Sequence, residues 1–489
     1  MNQTDHSGSG QQKAEKHAAN VMAETVERWL GNPLARKVLK FCTKRDGCGR
    51  RIDLVLRRYI GQNPEMCFRC RAACRIINFI LNKFAGRMGI EKNVIEENLK
   101  DFMFRKGLGS VLEGLAEFGP AKPFTSYSPF LIVWNYTNAC NLRCKHCYQR
   151  AGKQTPDELT TKEVMDAIDR MGKMGVAYIA LSGGEPLIRK DFFEAARRMQ
   201  KNEIAFSIAT NGTLLTKENV KKLEEVGCRY IQISLDGATA KTHDWLRGKG
   251  AFDKAMTGIK NAVESKITVG LATTVTSENV KEVPKIIDLA EKVGADIWMH
   301  YNFIPAGRGE DIVRMDIEPD ERERLLKYLS ERTKRSKIKL LSTAPQYGRV
   351  SVQCDGSGSM SHFDIFSQQE GSNVKFLADF VGGCGEGRLY IALQPNGDIT
   401  PCVFMPKIVI GNVRKDDLEA VWKSSEVLKK ARDRTKFGGH CCVCEFRNLC
   451  GGCRARAYGY FGDVTACDPG CIYNKKEWVE IKKCDARKA

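Results

Sequence analysis

Leu131-Ile-Val-Trp-Asn-Tyr-Thr-Asn-Ala-Cys140-Asn-Leu-Arg-Cys144-Lys-His-Cys147-Tyr148 decides how the rest of the chain is read. Its opening residues, Leu131–Asn135, are a short apolar run of the kind that makes a buried strand. Three cysteines follow, separated by three and then two residues. Downstream, Thr160–Met174 puts Val164, Ile168 and Met171 on one helical face. The alternation continues, with Tyr178–Ser182, Ala205–Ala209, Tyr230–Ser234, Thr268–Val275 and Ile297–Tyr301 as strands. Helical stretches at 191–201, 217–226, 252–265 and 281–293 separate them. Strands alternating with helices predict parallel βαβ units. Right-handed crossovers then predict an α/β fold, a partial (β/α)6 TIM-like barrel. Ligands in such folds bind beyond the carboxyl ends of the strands.

The chemistry gathers at those ends. Cys140, Cys144 and Cys147 can grip three irons of a cubane cluster and leave the fourth iron open. A zinc knuckle closed by His146 is the competing arrangement. The second strand ends in Ser182-Gly183-Gly184-Glu185-Pro186, where two glycines permit close backbone approach beside a carboxylate. The third ends in Thr210-Asn211-Gly212 and the fourth in Ser234-Leu235-Asp236-Gly237, with Arg247 soon after.

The combination of CxxxCxxCY with a GGEP strand end resembles the radical S-adenosylmethionine (SAM) superfamily, over roughly Leu131–Gly309. The resemblance implies a [4Fe-4S] cluster on the three cysteines, with SAM chelating the open iron. It implies that Gly183, Gly184 and Glu185 hold the SAM amino group. Ser234 and Arg247 would lie near its ribose and carboxylate, Asn211 would line the site, and Ile304 would sit by the adenine. The implied activity is that of an oxidoreductase or maturase, in which reductive SAM cleavage gives a 5′-deoxyadenosyl radical that abstracts a hydrogen atom.

Cysteines return as Cys384-x12-Gly397-x4-Cys402, then Cys441-x2-Cys444-x5-Cys450-x2-Cys453, then Cys467 and Cys471. This order resembles the SPASM extension and implies one or two auxiliary iron–sulfur clusters. Cys441, Cys444, Cys450 and Cys471 would make one four-thiolate site. Cys384, Cys402 and Cys453 would make the other, with an unnamed fourth ligand, because a further cysteine usual shortly after the first is missing. A zinc ribbon is the alternative for such CxxC pairs. The resemblance implies a peptide or protein side chain, or a tetrapyrrole, as substrate. It also implies a low-potential electron donor such as ferredoxin or flavodoxin. The reading from a different class is a non-catalytic iron–sulfur or zinc scaffold with a basic binding surface.

The chain has 489 residues, 20 cysteines and a net charge of +19. Without an apolar export segment or a membrane-length apolar run, the cysteines point to metal in a reducing cytoplasm rather than to disulfides. The divisions read as a disordered tail at 1–20, a basic helical cysteine-bearing N-terminal domain at 21–125 and the core barrel at 126–335. A linker or lid loop at 336–383 and a small cysteine-rich SPASM-like domain at 384–489 follow. A basic helical stretch is expected at 318–340. In the N-terminal domain Cys42, Cys48, Cys67 and Cys70, with Cys74 nearby, suggest zinc or a single iron, although CFRCRAAC suits a helix core equally. Ile76–Met88, flanked by Arg75, Lys83 and Arg87, suits packing or an interfacial helix on an anionic membrane. A lipid substrate and peripheral contact at the cytoplasmic membrane face therefore stay open. No motif for specific nucleic-acid readout is present.

Overall fold

The computed structural model describes residues 31–88, 91–355 and 381–486. The tail read at 1–20 and residues 356–380 of the linker or lid loop read at 336–383 lie outside them. Five helices open the described chain: α1 (Pro33–Thr43), α2 (Arg51–Tyr59), α3 (Phe68–Met88), α4 (Lys92–Lys100) and α5 (Phe102–Phe118). Asn32 starts α1 by accepting from the Leu34 N–H at 2.8 Å, with Pro33 at the first helical position. Leu39, Ile52, Leu56, Cys74, Ile77, Leu81 and Leu115 meet in one small core. The apolar side of α3 is thus used in packing. Among the described residues no helix is long and apolar enough to cross a membrane.

The main sheet starts with β1 (Leu131–Thr137) and continues through β2 (Tyr178–Gly183), β3 (Ala205–Thr210), β4 (Tyr230–Ser234), β5 (Thr268–Val275) and β6 (Ile297–Asn302). It adds β7 (Lys339–Ser342), β8 (Tyr390–Leu393), β9 (Asp398–Thr400) and β10 (Gly411–Asn412). The strand order is β10-β9-β8-β1-β2-β3-β4-β5-β6-β7. From β8 to β7 all neighbours are parallel, and only the β8–β9 and β9–β10 pairings are antiparallel. The six-stranded core read from sequence is present and is lengthened at both edges. β7 arises where a basic helical stretch was expected at 318–340: the helix Pro319–Thr333 stops short, and the Lys339–Ser342 strand pairs with β6. β8 comes from the cysteine-rich C-terminal stretch and pairs with β1, Tyr390 opposite Leu131.

The crossover helices are α6 (Thr161–Met174), α7 (Phe192–Lys201), α8 (Lys217–Glu225), α9 (Ala240–Arg247), α10 (Ala251–Val263), α11 (Val283–Val293) and α12 (Pro319–Thr333), with α13 (Gln346–Asp355) beyond β7. α6 shows why they form. Thr160 and Glu163 make a reciprocal capping box, and Val164, Ala167, Ile168, Met171 and Met174 recur on the buried face. Trp134, Trp298 and Ile231 lie in the barrel core, fully screened from solvent.

The N-terminal helices dock on the barrel through charge. Within the N-terminal unit, Arg50 Nη2 lies 2.5 Å from Glu113 Oε2, and the Glu113 side chain is 1% exposed. Lys106 Nζ donates to the Asn202 carbonyl at 2.6 Å, and Arg105 pairs with Glu203 at 3.1 Å. Removing one partner of a buried pair leaves an uncompensated charge, so Glu113→Ala is expected to cost about 3–5 kcal/mol in denaturant unfolding. An unchanged midpoint would show that the N-terminal unit holds together without the pair.

Candidate active site

The cluster loop leaves the C-terminal end of β1. The Cys140 N–H donates to the Gly152 carbonyl at 2.8 Å, and the Gly152 N–H donates to the Asn138 carbonyl at 2.8 Å, which closes the loop on itself. Arg308 fastens its far side, Nε to the Cys144 carbonyl at 2.7 Å and Nη1 to the Ala151 carbonyl at 2.8 Å. The end of β2 presses on the loop, with the Gly184 N–H on the Thr137 carbonyl at 2.7 Å and the Glu185 N–H on the Ala139 carbonyl at 2.8 Å. A Cβ on Gly184 would stand 2.0 Å from the Ala139 oxygen. One on Gly183, at φ +113°, would stand 2.6 Å from the Thr137 oxygen. Only hydrogen fits at either position. Gly184→Ala is therefore expected to push Ala139 away, misplace Cys140 and lower both core iron content and SAM cleavage, at an overpacking cost of about 1–3 kcal/mol. Iron analysis of the reconstituted variant checks it, and full iron with full cleavage would contradict it.

Glu185 turns its carboxylate toward β3. Its carboxylate is completely buried and accepts from Thr210 Oγ1 on both oxygens at 2.9 Å and from the Asn211 N–H at 2.9 Å. Burial pushes its pKa up to about 7. In this geometry it ties β2 to β3 behind the glycines, while Gly183, Gly184, Asn211, Ser234, Arg247 and Ile304 all line the cavity. Asn211 also reaches the cluster loop, donating from Nδ2 to Asn141 Oδ1 at 2.9 Å.

His146 is not placed as a fourth ligand to a closed knuckle. Its Nε2 is 3.3 Å from Asp236 Oδ2 and 3.4 Å from Arg247 Nη2, and burial lowers its pKa to about 4. The ring is therefore neutral. Arg247 Nε donates to Asp236 Oδ2 at 2.5 Å, while Nη1 lies 3.9 Å from Cys144 Sγ. Asp236 thus holds a guanidinium against a cluster thiol, a role for which the sequence offered only its place two residues after Ser234 at the same strand end. Thiolates on one tetrahedral zinc lie about 3.8 Å apart. Among the described residues, the only three-residue group of metal-binding type within 4.8 Å is Cys48, Cys67 and Cys70. The Cys140, Cys144 and Cys147 thiols do not all lie within that distance of one another.

One cavity runs from this loop through the barrel. Val133, Tyr178, Ile208, Tyr230, Met299 and Tyr301 form much of its wall, and Cys384, Cys402 and Cys453 stand at its other end. The strand register explains the arrangement. Cys140 follows the last residue of β1, whereas Cys384 precedes Tyr390, which pairs with the first. The two cysteine sets therefore stand toward opposite ends of β1, with Tyr148 between them, its ring 4.8 Å from that of Phe404. Cys441, Cys444, Cys450 and Cys471, the four-thiolate set read from spacing, line a separate small cavity with Arg349 and Asn474. No disulfide joins the described cysteines.

In the N-terminal unit the structure brings together three of five cysteines. Cys67 and Cys70 Sγ are 3.4 Å apart, with Cys48 from the Arg45–Arg50 hairpin beside them. Cys42 and Cys74 belong instead to the apolar core of that unit.

The radical SAM superfamily model matches residues 134–290, and the SPASM model, an iron–sulfur cluster-binding domain, matches 384–454. The AdoMet-dependent heme synthase of Methanosarcina barkeri is 36% identical over 349 residues, which is 71% of this chain and 97% of that protein. The chain belongs to the radical SAM superfamily. Mycofactocin maturase MftC of Mycobacterium tuberculosis is 30% identical over 357 residues, 72% of this chain and 84% of that one. Among solved structures, Streptococcus suis SuiB bound to S-adenosylmethionine superposes with a TM-score of 0.61 at 16% identity, over 86% of this chain and 93% of that one. The anSMEcpe structure with bound AdoMet gives 0.52 at 19%, over 72% and 95%. These two show the shared fold. As a radical SAM enzyme, the protein uses a [4Fe-4S] cluster, SAM and SPASM-type auxiliary iron–sulfur binding, and the reading as a non-catalytic scaffold falls away.

Proposed function

We propose that this radical SAM enzyme removes a hydrogen atom from the side chain of a carboxylate-bearing tetrapyrrole held inside the barrel. The observation that carries the reading is the cavity itself, whose wall is largely apolar and aromatic and which spans the distance between two cysteine sets. A flat, apolar macrocycle matches that wall, and the resemblance to a heme synthase over nearly all of that protein's length supports it. When bound, the cluster delivers one electron that splits SAM into methionine and the 5′-deoxyadenosyl radical. The chain's own groups then position. Gly183 and Gly184 keep β2 close to the loop, Arg308 fixes the loop from outside, and the neutral His146 with Asp236 holds Arg247 beside Cys144. We assign the electron supply to a low-potential ferredoxin or flavodoxin, whose acidic surface suits a net charge of +19.

Anaerobic enzyme supplied with SAM and dithionite should form 5′-deoxyadenosine faster when Fe-coproporphyrin III is added, and the porphyrin's Soret band should shift on titration. No stimulation and no shift would exclude the tetrapyrrole. A peptide is the second reading, favoured by the 30% identity to mycofactocin maturase.

The N-terminal thiols support a further part of the proposal, a single zinc or iron ion on Cys48, Cys67 and Cys70. Their mutual spacing fits one tetrahedral ion. Cys67→Ala should remove one equivalent of metal without changing the other iron, by elemental analysis, and equal metal in both proteins would refute it.

A further inference from the structure

The cysteine set at the far end of the cavity lacks a fourth thiolate, and the residues around it offer a different ligand. Glu386 lies two residues after Cys384 and is 2% exposed. Neither of its carboxylate oxygens has a hydrogen-bond partner. It lines the same cavity as Cys384, Cys402 and Cys453, and its charge acts on both the Cys384 and Cys402 thiols. The neighbouring hydroxyl is already engaged, since Tyr390 donates from its OH to Cys402 Sγ at 3.2 Å. The Arg454 and Arg388 guanidiniums act on its charge without a hydrogen bond to it; a buried carboxylate with neither oxygen hydrogen-bonded is costly, and native proteins seldom leave one so. Beside three thiols that bind iron, a cation supplies the missing partner.

We propose that Glu386 is the fourth protein ligand of the auxiliary cluster on Cys384, Cys402 and Cys453. This rests on the placement of an auxiliary cluster at those three cysteines. Three thiolates and one carboxylate give the cubane four anionic ligands, one per iron. The carboxylate is the hardest of the four donors and the poorest match for iron in a sulfide cluster, so its iron is the one a substrate or solvent can reach most readily. The cluster is closed at rest by the protein rather than by water. Glu386 would be its one oxygen ligand, and it lines the cavity together with the three cysteines.

The test uses full-length protein in which Cys140, Cys144 and Cys147 are alanine, so that the core cluster contributes no signal. Reconstituted anaerobically, it should hold about eight irons per chain in two auxiliary cubanes. An iron without a protein ligand is lost on brief ferricyanide treatment: one electron passes to ferricyanide, Fe2+ leaves, and a three-iron cluster with a characteristic EPR signal remains. The background protein is expected to give little of this signal. Adding Glu386→Ala should raise it to near one three-iron cluster per chain, and Glu386→Cys, which restores an anionic ligand, should suppress it again and shift the EPR spectrum of the reduced cluster. The inference is overturned if background and Glu386→Ala proteins give equal signals, whether both high or both low. If the background protein holds only about four irons, and Cys402→Ala removes none, the cluster placement itself has failed and the ligand with it.

Discussion

Cys144→Ala is expected to end SAM cleavage, with 5′-deoxyadenosine at background, while the auxiliary iron stays in place. The prediction isolates the thiol from the loop. Arg308 holds residue 144 through its carbonyl, at 2.7 Å, and the Gly152 contacts close the loop through backbone groups. An alanine there keeps every one of these bonds. What disappears is one of three corners of the iron site, and two thiolates do not hold a cubane with an open iron. Iron should therefore fall by about four atoms per chain, with little change in unfolding temperature. The auxiliary cysteines lie toward the other end of the cavity or in a separate one, so their iron has no reason to follow. Retained SAM cleavage would remove Cys144 from the cluster, and loss of all iron would show that the sites assemble as one unit.

Much of the barrel was legible because its signals are local. Strand β1 is an apolar run, α6 has both a capping box and a four-residue apolar repeat, and the cysteine spacings reflect loops whose ends must meet. The far-auxiliary set of Cys441, Cys444, Cys450 and Cys471 could be read the same way, and the cavity unites those four residues. The edges of the sheet could not. β8 joins β1 from more than 250 residues away, and nothing in Tyr390–Leu393 names its partner. Side-chain direction was equally hidden. Glu185 and Glu386 both sit next to residues of obvious purpose, yet one carboxylate turns back to Thr210 and Asn211 while the other faces the cavity without a partner. The N-terminal cysteines show the same limit. Cys42 and Cys48 are close in sequence, but Cys42 points into the core of the helical unit and Cys48 rides a hairpin toward Cys67 and Cys70.

Asp468→Asn is expected to loosen the C-terminal unit and strip the iron nearest the cavity while sparing the core cluster. Asp468 is fully buried at the seam between barrel and SPASM region. One oxygen accepts from the Cys453 N–H at 2.8 Å and from Gln346 Nε2 at 2.5 Å. The other accepts from the Gly470 N–H at 3.0 Å and faces Arg456 Nη1 at 3.4 Å. All four partners are donors, so an amide must turn its own NH2 toward one pair of them. The charge balance suffers too. Arg456 and Arg322 both lie at this seam, and Asp316, which pairs with Arg322 and stands 3.9 Å from Arg456, would be left to neutralise the two. Breaking a buried charge network of this kind costs about 3–5 kcal/mol. Cys453 hangs directly from the lost acceptor, so its thiol should drift before any other ligand does. Denaturant unfolding and iron analysis in the protein lacking Cys140, Cys144 and Cys147 read the two effects separately. A variant with unchanged stability and unchanged auxiliary iron would show that Asp468 neither anchors the seam nor positions Cys453.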